Sequence, residues 1–376
     1  MTTIDPLPAG ARILHVGPHK TGTTALQSSL HQARGELEAQ GVRYLSRGRH
    51  DASAARWVTR RLVVGSDAAA AERRWERVVA ELRSPGPHRR LFSSEFLSDA
   101  TDDQVDEILD RIGREDLWVV VTLRPLARIL SSQYQQGLQS GGRRGYDEWL
   151  RSIFDPEHPR PAPRQFWLRH RHDALVTRWA ERIGTDRVVV VVLDPTDRQF
   201  LPRAFEDLLG LTTGTLAAKE ALENRSLTAA EAEVIRQFNV QYRGAGLRPE
   251  SHARVLIDIG NHLKGRVPRS DEVRIVTPDW AVVRANEVAA EMADNIRALD
   301  VRVHGDLASL TAVPLTGADA TVVPAEVDPD LAARVGVGVA AGLQRTGRAA
   351  APGAAAPVGA ARVGAAGWLA RRVRRR

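Results

Sequence analysis

The sequence predicts an α/β protein with three layers, in which a parallel β-sheet has helices on both faces. Short, continuous apolar runs indicate strands that are covered on both sides, and they alternate along the chain with amphipathic helical patterns. Ligands of such sheets bind at the carboxyl ends of the strands, and Lys20 and Arg124 closely follow two of these runs. The predicted strands are Arg12–Val16, Val42–Leu45, Arg90–Ser94, Leu117–Leu123 and Arg187–Leu193.

Helical patterns fill the segments between the strands. Gly41 and Gly184 each follow an apolar period and indicate where two of the helices end. After the last strand the chain becomes mainly helical, and Ser226 or Thr228 is the expected cap of one helix in that region. The predicted helices are Thr24–Gln40, Asp67–Leu82, Asp102–Ile112, Leu168–Ile183, Phe200–Leu209, Thr228–Tyr242 and Trp280–Ala298.

Composition divides the chain into a folded domain, residues 1–310, and a disordered tail, residues 311–376. From Thr311 onward Ala, Gly, Val and Pro dominate without a sustained period, which is typical of chain that does not pack. Nine arginines against four acidic residues give 311–376 a net charge of +5, so residues 1–310 carry only +2 of the total of +7. This balance disfavours a nucleic-acid partner, which would require a basic stripe on the folded part.

The chain ends in GWLARRVRRR, where five arginines stand beside Trp368, Leu369 and Val373. Two interpretations of this basic end stay open. It makes weak contact with an anionic membrane surface or an acidic partner, at about 1 kcal/mol per basic residue, or it is a solvated run of charge.

Cysteine is absent from all 376 residues, which excludes disulfides, a thiolate nucleophile and cysteine-based metal sites. The start of the chain lacks a secretory pattern. No apolar run approaches the ~20 residues that span a bilayer. We therefore expect a cytoplasmic protein.

The loop after the first predicted strand has the residues of a phosphate-binding site. Ile13–Leu30 reads ILHV-GPHKTGTT-ALQSSL, a strand, a glycine-bounded loop and a helix, and such a loop points backbone N–H groups and the positive helix end at one spot. Gly17 and Gly22 have the spacing of the nucleotide-triphosphate pattern G-x-x-x-x-G-K-[ST]. Thr23 replaces its lysine, which lies earlier as Lys20. This placement suits a donor shorter than ATP, with one 5′-phosphate and an attached reactive group.

The pattern P-x-K-[ST]-G-T-T after a strand resembles the 5′-phosphosulfate loop of sulfotransferases, whose donor is 3′-phosphoadenosine 5′-phosphosulfate. That family has a second motif for the 3′-phosphate, a strand ending in Arg and a helix with Ser eight residues later. Arg124 and Ser132 supply it in WVVVTLRPLARILSSQY, with Pro125 at the first helical position. The family commonly has R-D-P-x-x-R, and R-P-L-A-R is one residue shorter, which leaves the place of Arg128 open. The resemblance covers residues 12–310.

The resemblance implies a P-loop-like fold and a soluble sulfotransferase of bacterial type that needs no metal. Such an enzyme moves a sulfuryl group to a hydroxyl or amine of a carbohydrate, lipid or small metabolite. A dianionic 3′-phosphate suits the rigid, two-pronged donors of a guanidinium, and Lys20 is expected to stabilise the departing oxygen. The donor-binding residues implied are Lys20, Thr21, Gly22, Thr23, Thr24, Arg124 and Ser132.

Two residues are candidates for the general base. Glu95 follows the predicted strand in RLFSSEFLSD and arrives at the same sheet edge as Lys20; relatives that act on carbohydrate often use a glutamate there. His19 is the alternative, because other relatives use a histidine. A base must lie within hydrogen-bond reach of the acceptor, so both stay open.

Other polar residues have ordinary structural interpretations. His15, within the first strand, is expected to be a core histidine. His170 and His172 are expected to be solvated on a helix face, and Asp194 to form a turn or cap before Pro195. The stretch LKGRVPRSDE, with Lys264 and Arg266, resembles a donor-binding K-G-R segment of carbohydrate sulfotransferases.

Two other functions remain open. A P-loop kinase or nucleotide hydrolase would require magnesium and a lysine directly after Gly22. A donor-binding protein without catalytic activity would retain the loop and act in assembly through its tail.

Overall fold

A sheet of six parallel strands lies at the centre of the fold. The chain is described by a computed structural model over residues 5–49, 51–63, 65–217, 225–320, 322–324 and 326–350. The strands are β1 Arg12–His15, β2 Val42–Tyr44, β3 Arg89–Ser93, β4 Leu117–Leu123, β5 Val188–Val192 and β6 Arg302–His304. They lie in the order β2-β3-β1-β4-β5-β6, and all neighbours pair in parallel.

Helices connect the strands and form the C-terminal half of the described chain. The first seven are α1 Thr23–Gln32, α2 Arg34–Ala39, α3 Ala52–Val58, α4 Ala68–Arg83, α5 Asp102–Ile112, α6 Leu126–Gln139 and α7 Tyr146–Phe154. The next seven are α8 Arg164–His170, α9 His172–Ile183, α10 Phe200–Leu209, α11 Ala229–Gly244, α12 Pro249–Lys264, α13 Asp279–Ala298 and α14 Pro329–Ala350. Short 3₁₀ turns are Glu95–Asp99, Thr185–Arg187 and Leu307–Thr311.

Two apolar cores confirm that the sheet is covered on both faces. In β5, Val188, Val190 and Val192 belong to one core, and Val189 and Val191 belong to the other. This alternation follows from the two-residue period of a strand. Helices α4, α5 and α9 cover the first core, and α1, α2 and α10 cover the second. The prediction of a three-layer α/β fold is therefore confirmed.

The predicted helix Thr24–Gln40 is instead two helices. Ala33, with φ −84° and ψ 7°, separates α1 from α2, although hydrogen bonds from Ala33 to Ser29 and from Leu37 to Ala33 continue through the break.

The predicted helix Leu168–Ile183 is also two helices. They meet at Arg171, whose ψ of 85° is not helical and whose guanidinium binds both carboxylate oxygens of Asp173.

The predicted start of the disordered tail at 311 is too early, because α14 packs against α12. Leu331 is fully buried in this contact. A Cβ on Gly338 would lie 2.7 Å from Cα of Ile259, and one on Gly342 would lie 2.7 Å from Cα of Val255. Glycine lets the two backbones approach, so the small-residue composition that indicates disorder is what this interface requires. The remainder of the predicted tail, residues 351–376 with the arginine-rich end, lies outside the described residues.

The order of the strands places the loop after β1 beside the loop after β4. From β1 the chain continues to β2 and β3, which lie on one side of β1 within the sheet, and then to β4, which lies on the other side of β1. Ligands of open α/β sheets bind in the crevice at such a reversal. Within the described ranges, none of the helices is both long and apolar enough to cross a bilayer.

Candidate functional site

The loop between β1 and α1 has an unusual backbone. Lys20 has a φ of 72°, and Gly22, at the N-cap of α1, has a φ of 82°. A left-handed conformation costs a residue with a side chain about 1–2 kcal/mol, and such strain persists where the surrounding structure imposes it, commonly at ligand sites. Left-handed residues next to a helix start direct successive N–H groups into a concave anion site.

A chain of buried hydrogen bonds holds this loop onto the sheet. His15 contacts Ser93 through Nδ1, at 2.8 Å, and Thr122 through Nε2, at 3.2 Å. Thr122 also contacts the hydroxyl of Thr21 at 2.7 Å, and that hydroxyl donates to the carbonyl of Pro18 at 2.7 Å. Burial lowers the pKa of His15 to about 3, so the ring is neutral. His15 is a core histidine, as expected, and it also connects three strands to the loop.

Gly17 is required by the same packing. A Cβ there would lie 2.3 Å from Oγ1 of Thr122 and 2.5 Å from Nε2 of His15. Glycine is therefore required at position 17 because a side chain would not fit there, and it is favoured at position 22 because the backbone is left-handed.

Arg124 and Lys20 are in contact at the carboxyl ends of β4 and β1. Nη1 of Arg124 donates to the carbonyl oxygen of Lys20 at 3.3 Å. Burial, and then the positive charge of Arg128, lower the pKa of Arg124. Burial, and then the positive charge of Lys264, lower the pKa of Lys20, while Glu95 raises it. Arg128 and Lys264 thus add positive charge within electrostatic range of this contact.

No counter-ion matches this cationic cluster of Lys20, Arg124, Arg128 and Lys264. Among the described residues, none of the four has a carboxylate oxygen within 4.0 Å. Lys20 and Arg124 are half-buried, and Arg128 and Lys264 are exposed. Positive charge gathered at one site without a counter-ion favours an anionic ligand that supplies the missing charge.

Ser132 lies one helical turn beyond Arg128 on α6 and is half-buried. Its hydroxyl donates to the carbonyl of Ile129 at 2.9 Å, and its oxygen can still accept or share a hydrogen bond. At the start of α1, Thr24 is exposed. The hydroxyl of Thr23 is buried, and it has no hydrogen-bond partner in the described part of the chain.

Glu95 opens the 3₁₀ turn after β3 and lies near the cationic cluster. Its Oε2 accepts a hydrogen bond from Nε2 of Gln27 at 3.3 Å, and its charge acts on Lys20. The side chain is half-buried. Because β3 lies next to β1, Glu95 is at the same edge of the sheet as the loop of Lys20.

His19 belongs to the loop, and it is only 4% exposed. Its Nε2 is 3.7 Å from Oδ1 of Asp99, and its ring packs edge-on against Phe96 at 5.0 Å. Arg169 holds Asp99 through two hydrogen bonds, one of 2.7 Å. Burial lowers the pKa of His19, although the nearby carboxylate of Asp99 opposes this effect.

The expectation of solvated histidines at 170 and 172 is wrong, because both side chains are fully buried. Burial lowers the pKa of His172 to about 4 and that of His170 well below its ordinary range. Their faces were not readable from sequence because the helix there is interrupted at Arg171.

Two other sequence candidates have structural contacts. Asp194 forms a turn, as expected, by accepting from the amide and the hydroxyl of Thr196 at 2.7 and 2.6 Å. Arg266 is 5% exposed and binds Glu231 at 3.3 Å and Glu272 at 2.9 Å. Of the K-G-R segment, Lys264 reaches the cationic cluster and Arg266 does not take part in it.

No group of three or more His, Asp or Glu side chains within the described ranges is arranged to hold a metal ion.

No family model matches the chain, and no curated protein matches it. Among solved structures, a sulfotransferase from Alicyclobacillus acidocaldarius is similar with a TM-score of 0.41 and 13% sequence identity, covering 80% of this chain and 97% of that chain. At this level of similarity the function has to be inferred from the residues of the site.

Proposed function

We propose that this protein is a sulfotransferase that moves a sulfuryl group from 3′-phosphoadenosine 5′-phosphosulfate to a hydroxyl or amine. The observation that carries the proposal is the contact between Lys20 and Arg124 within a cationic cluster that has no counter-ion among the described residues. Phosphates at both ends of one adenosine donor would supply the missing negative charge. The residues present fit such a donor.

The loop residues suit the 5′ end of the donor. Backbone N–H groups of the left-handed loop and of the start of α1 would bind the 5′-phosphate, with the unpartnered hydroxyl of Thr23 as a further donor. Lys20 would stabilise negative charge on the bridging oxygen as it departs. Thr21 acts differently, because its hydroxyl already holds the loop to Thr122 and Pro18.

The opposite end of the site suits the 3′-phosphate. Arg124 supplies a fork of donors, Ser132 supplies a hydroxyl, and Arg128 and Lys264 add positive charge. Since Arg124 already binds the loop carbonyl of Lys20, the two ends of the site are linked directly.

Transfer would proceed in line, without a covalent enzyme intermediate. The acceptor oxygen or nitrogen forms a bond to sulfur as the bond from sulfur to the 5′-phosphate oxygen breaks, and that oxygen leaves with the electron pair. Glu95 takes the acceptor proton. We favour Glu95 over His19 because Glu95 is half-buried near Lys20, whereas His19 is almost completely enclosed beside Asp99.

The two rival functions receive less support from the site. A kinase or nucleotide hydrolase usually has a lysine after the second glycine and an aspartate that orients magnesium. Thr23 occupies the first position, and the carboxylate of Asp194 is engaged in its own turn. A donor-binding protein without activity would not require Glu95 next to Lys20.

The test is transfer of labelled sulfate from 3′-phosphoadenosine 5′-phosphosulfate to a panel of sugars, phenols and amines. Transfer that Glu95→Gln abolishes would support the proposal. Tighter binding of ATP with magnesium than of adenosine 3′,5′-bisphosphate would reject it in favour of a kinase or hydrolase. Tight binding of the bisphosphate with no transfer to any acceptor would favour the inactive donor-binding protein.

A further inference from the structure

A cavity of about 590 Å³ opens at the C-terminal end of α6. This volume is typical of small-molecule pockets. Tyr134 and Trp149 form an aromatic wall, and Tyr146 stacks on Trp149 with the ring planes 20° apart. The cavity is also lined by the turn 137–144, by Arg160 and by Pro163.

Side chains of three other residues hold the turn 137–144 through hydrogen bonds to its backbone carbonyls. Asn239 is fully buried, and its amide nitrogen donates to the carbonyls of Leu138 at 2.9 Å and Gly142 at 2.7 Å. The next two carbonyls, of Arg143 and Arg144, accept hydrogen bonds of 3.0 Å from Arg236 and from the Tyr134 hydroxyl, respectively.

Glycines allow this turn to be tight. Gly141 has a φ of 93°, and a Cβ on Gly142 would lie 2.9 Å from the carbonyl oxygen of Gly137. The wall is therefore preorganised, which lowers the entropic cost of binding a ligand.

Two guanidinium groups on this turn are left without partners. Over the residues that the structure describes, the side chains of Arg143 and Arg144 form neither an ion pair nor a hydrogen bond. The third arginine of the cavity, Arg160, is paired with Glu148. Guanidinium groups recognise carboxylates, sulfates and phosphates, and aromatic walls bind flat or ring-shaped molecules.

We propose that this cavity binds the acidic, ring-bearing part of the acceptor, with the ring against Trp149 and Tyr134 and the anionic group at Arg143 and Arg144. The assignment to the acceptor rests on the proposed function. Helix α6 has 14 residues and is about 21 Å long; it starts two residues after Arg124 and ends at the cavity.

The binding test compares two probes by calorimetry, 4-nitrophenyl β-D-glucuronide and its neutral match, 4-nitrophenyl β-D-glucoside. We expect the glucuronide to bind at least about tenfold more tightly, because only it supplies a carboxylate. The double substitution Arg143→Gln with Arg144→Gln should abolish this difference, and Trp149→Ala should weaken both probes. Arg73→Gln, on the exposed side of α4, is the matched control and should change neither affinity.

Three results would overturn the inference: equal affinities of the two probes for the unmodified protein, no measurable binding of either, or an unchanged difference in the double variant. Adenosine 3′,5′-bisphosphate is titrated into the same proteins. Its affinity should be the same in all of them, since none of the substituted residues belongs to the proposed donor site. Failure of the bisphosphate to bind the unmodified protein, with glucuronide binding as expected, would reject the proposed function and keep the cavity as a site for acidic ligands.

Discussion

Arg124 donates a hydrogen bond of 3.3 Å to the backbone carbonyl of Lys20, although 104 residues separate them in the chain. The contact exists because β1 and β4 are neighbours in the sheet, so the residues that follow them share one edge. It brings a guanidinium and an ammonium to one site, with no carboxylate in the described part of the chain to neutralise either within 4.0 Å.

Lys20 has a left-handed backbone, so two substitutions of it should differ in stability and yet have the same effect on activity. We expect Lys20→Gly to be more stable than Lys20→Ala by about 1–2 kcal/mol, because only glycine adopts this φ without steric cost. Both variants should lose sulfate transfer, since both lose the ammonium. Urea unfolding and a transfer assay measure the two effects. Equal stabilities would show that the backbone is not strained, and full transfer by either variant would show that the ammonium is dispensable.

Substitution of Glu95 tests the assignment of the base. We expect Glu95→Gln to reduce kcat by about 10²–10⁴-fold and to leave donor affinity nearly unchanged, because glutamine keeps the shape and can still accept from Gln27. His19→Gln is the comparison, and it should retain more activity, since His19 is enclosed beside Asp99. The opposite ranking of the two variants would make His19 the base.

Three glycines of α14 test how that helix packs. We expect Gly338→Ala and Gly342→Ala each to lower the free energy of unfolding by about 1–3 kcal/mol, since their methyl groups would meet the backbone of α12. Gly336 has open space around it, so Gly336→Ala should stabilise the protein by up to about 1 kcal/mol through helix propensity. Equal effects at the three positions, measured by urea unfolding, would show that α14 does not pack against α12.

Buried His172 makes stability depend on pH. Its pKa is lowered by burial to about 4 from the ordinary 6.5, so the unfolded chain takes up a proton before the folded protein does. The free energy of unfolding is therefore unaffected by His172 above pH 6.5. It falls as the pH is lowered from 6.5 towards 4, with a slope of up to about 1.4 kcal/mol per pH unit. We expect His172→Phe to reduce the slope of unfolding free energy in this range. Its effect at pH 8 serves as the control for packing, and identical slopes would contradict the expectation.

The sheet could be predicted because most of its strands are short runs of mainly apolar residues. Leu117–Leu123 is a continuous apolar run with the bounds that β4 has in the structure. The sixth strand, Arg302–His304, was not predicted, since only one of its three residues is apolar and all three are half-buried. The α12 and α14 contact was missed because alanine and glycine indicate disorder as readily as close helix packing.

The site could be predicted only where residue type and spacing define it. Lys20 and Arg124 follow apolar runs, so their place at the strand ends was readable from sequence. The contacts of His15 with Ser93 and Thr122 depend on β1 lying between β3 and β4. The order of strands in a sheet cannot be predicted from the residues of any single strand. The approach of Lys264 to Lys20 likewise depends on how α12 packs.

The most direct test of the central claim compares adenosine 3′,5′-bisphosphate with adenosine 5′-monophosphate by calorimetry, in the unmodified protein and in Arg124→Ala. We expect the unmodified protein to bind the bisphosphate more tightly by about 2–3 kcal/mol, the value of a charge-assisted contact with the 3′-phosphate. In Arg124→Ala most of this difference should disappear, while Arg73→Ala should retain it. A difference that persists undiminished in Arg124→Ala would contradict the claim that Lys20 and Arg124 hold opposite ends of one donor.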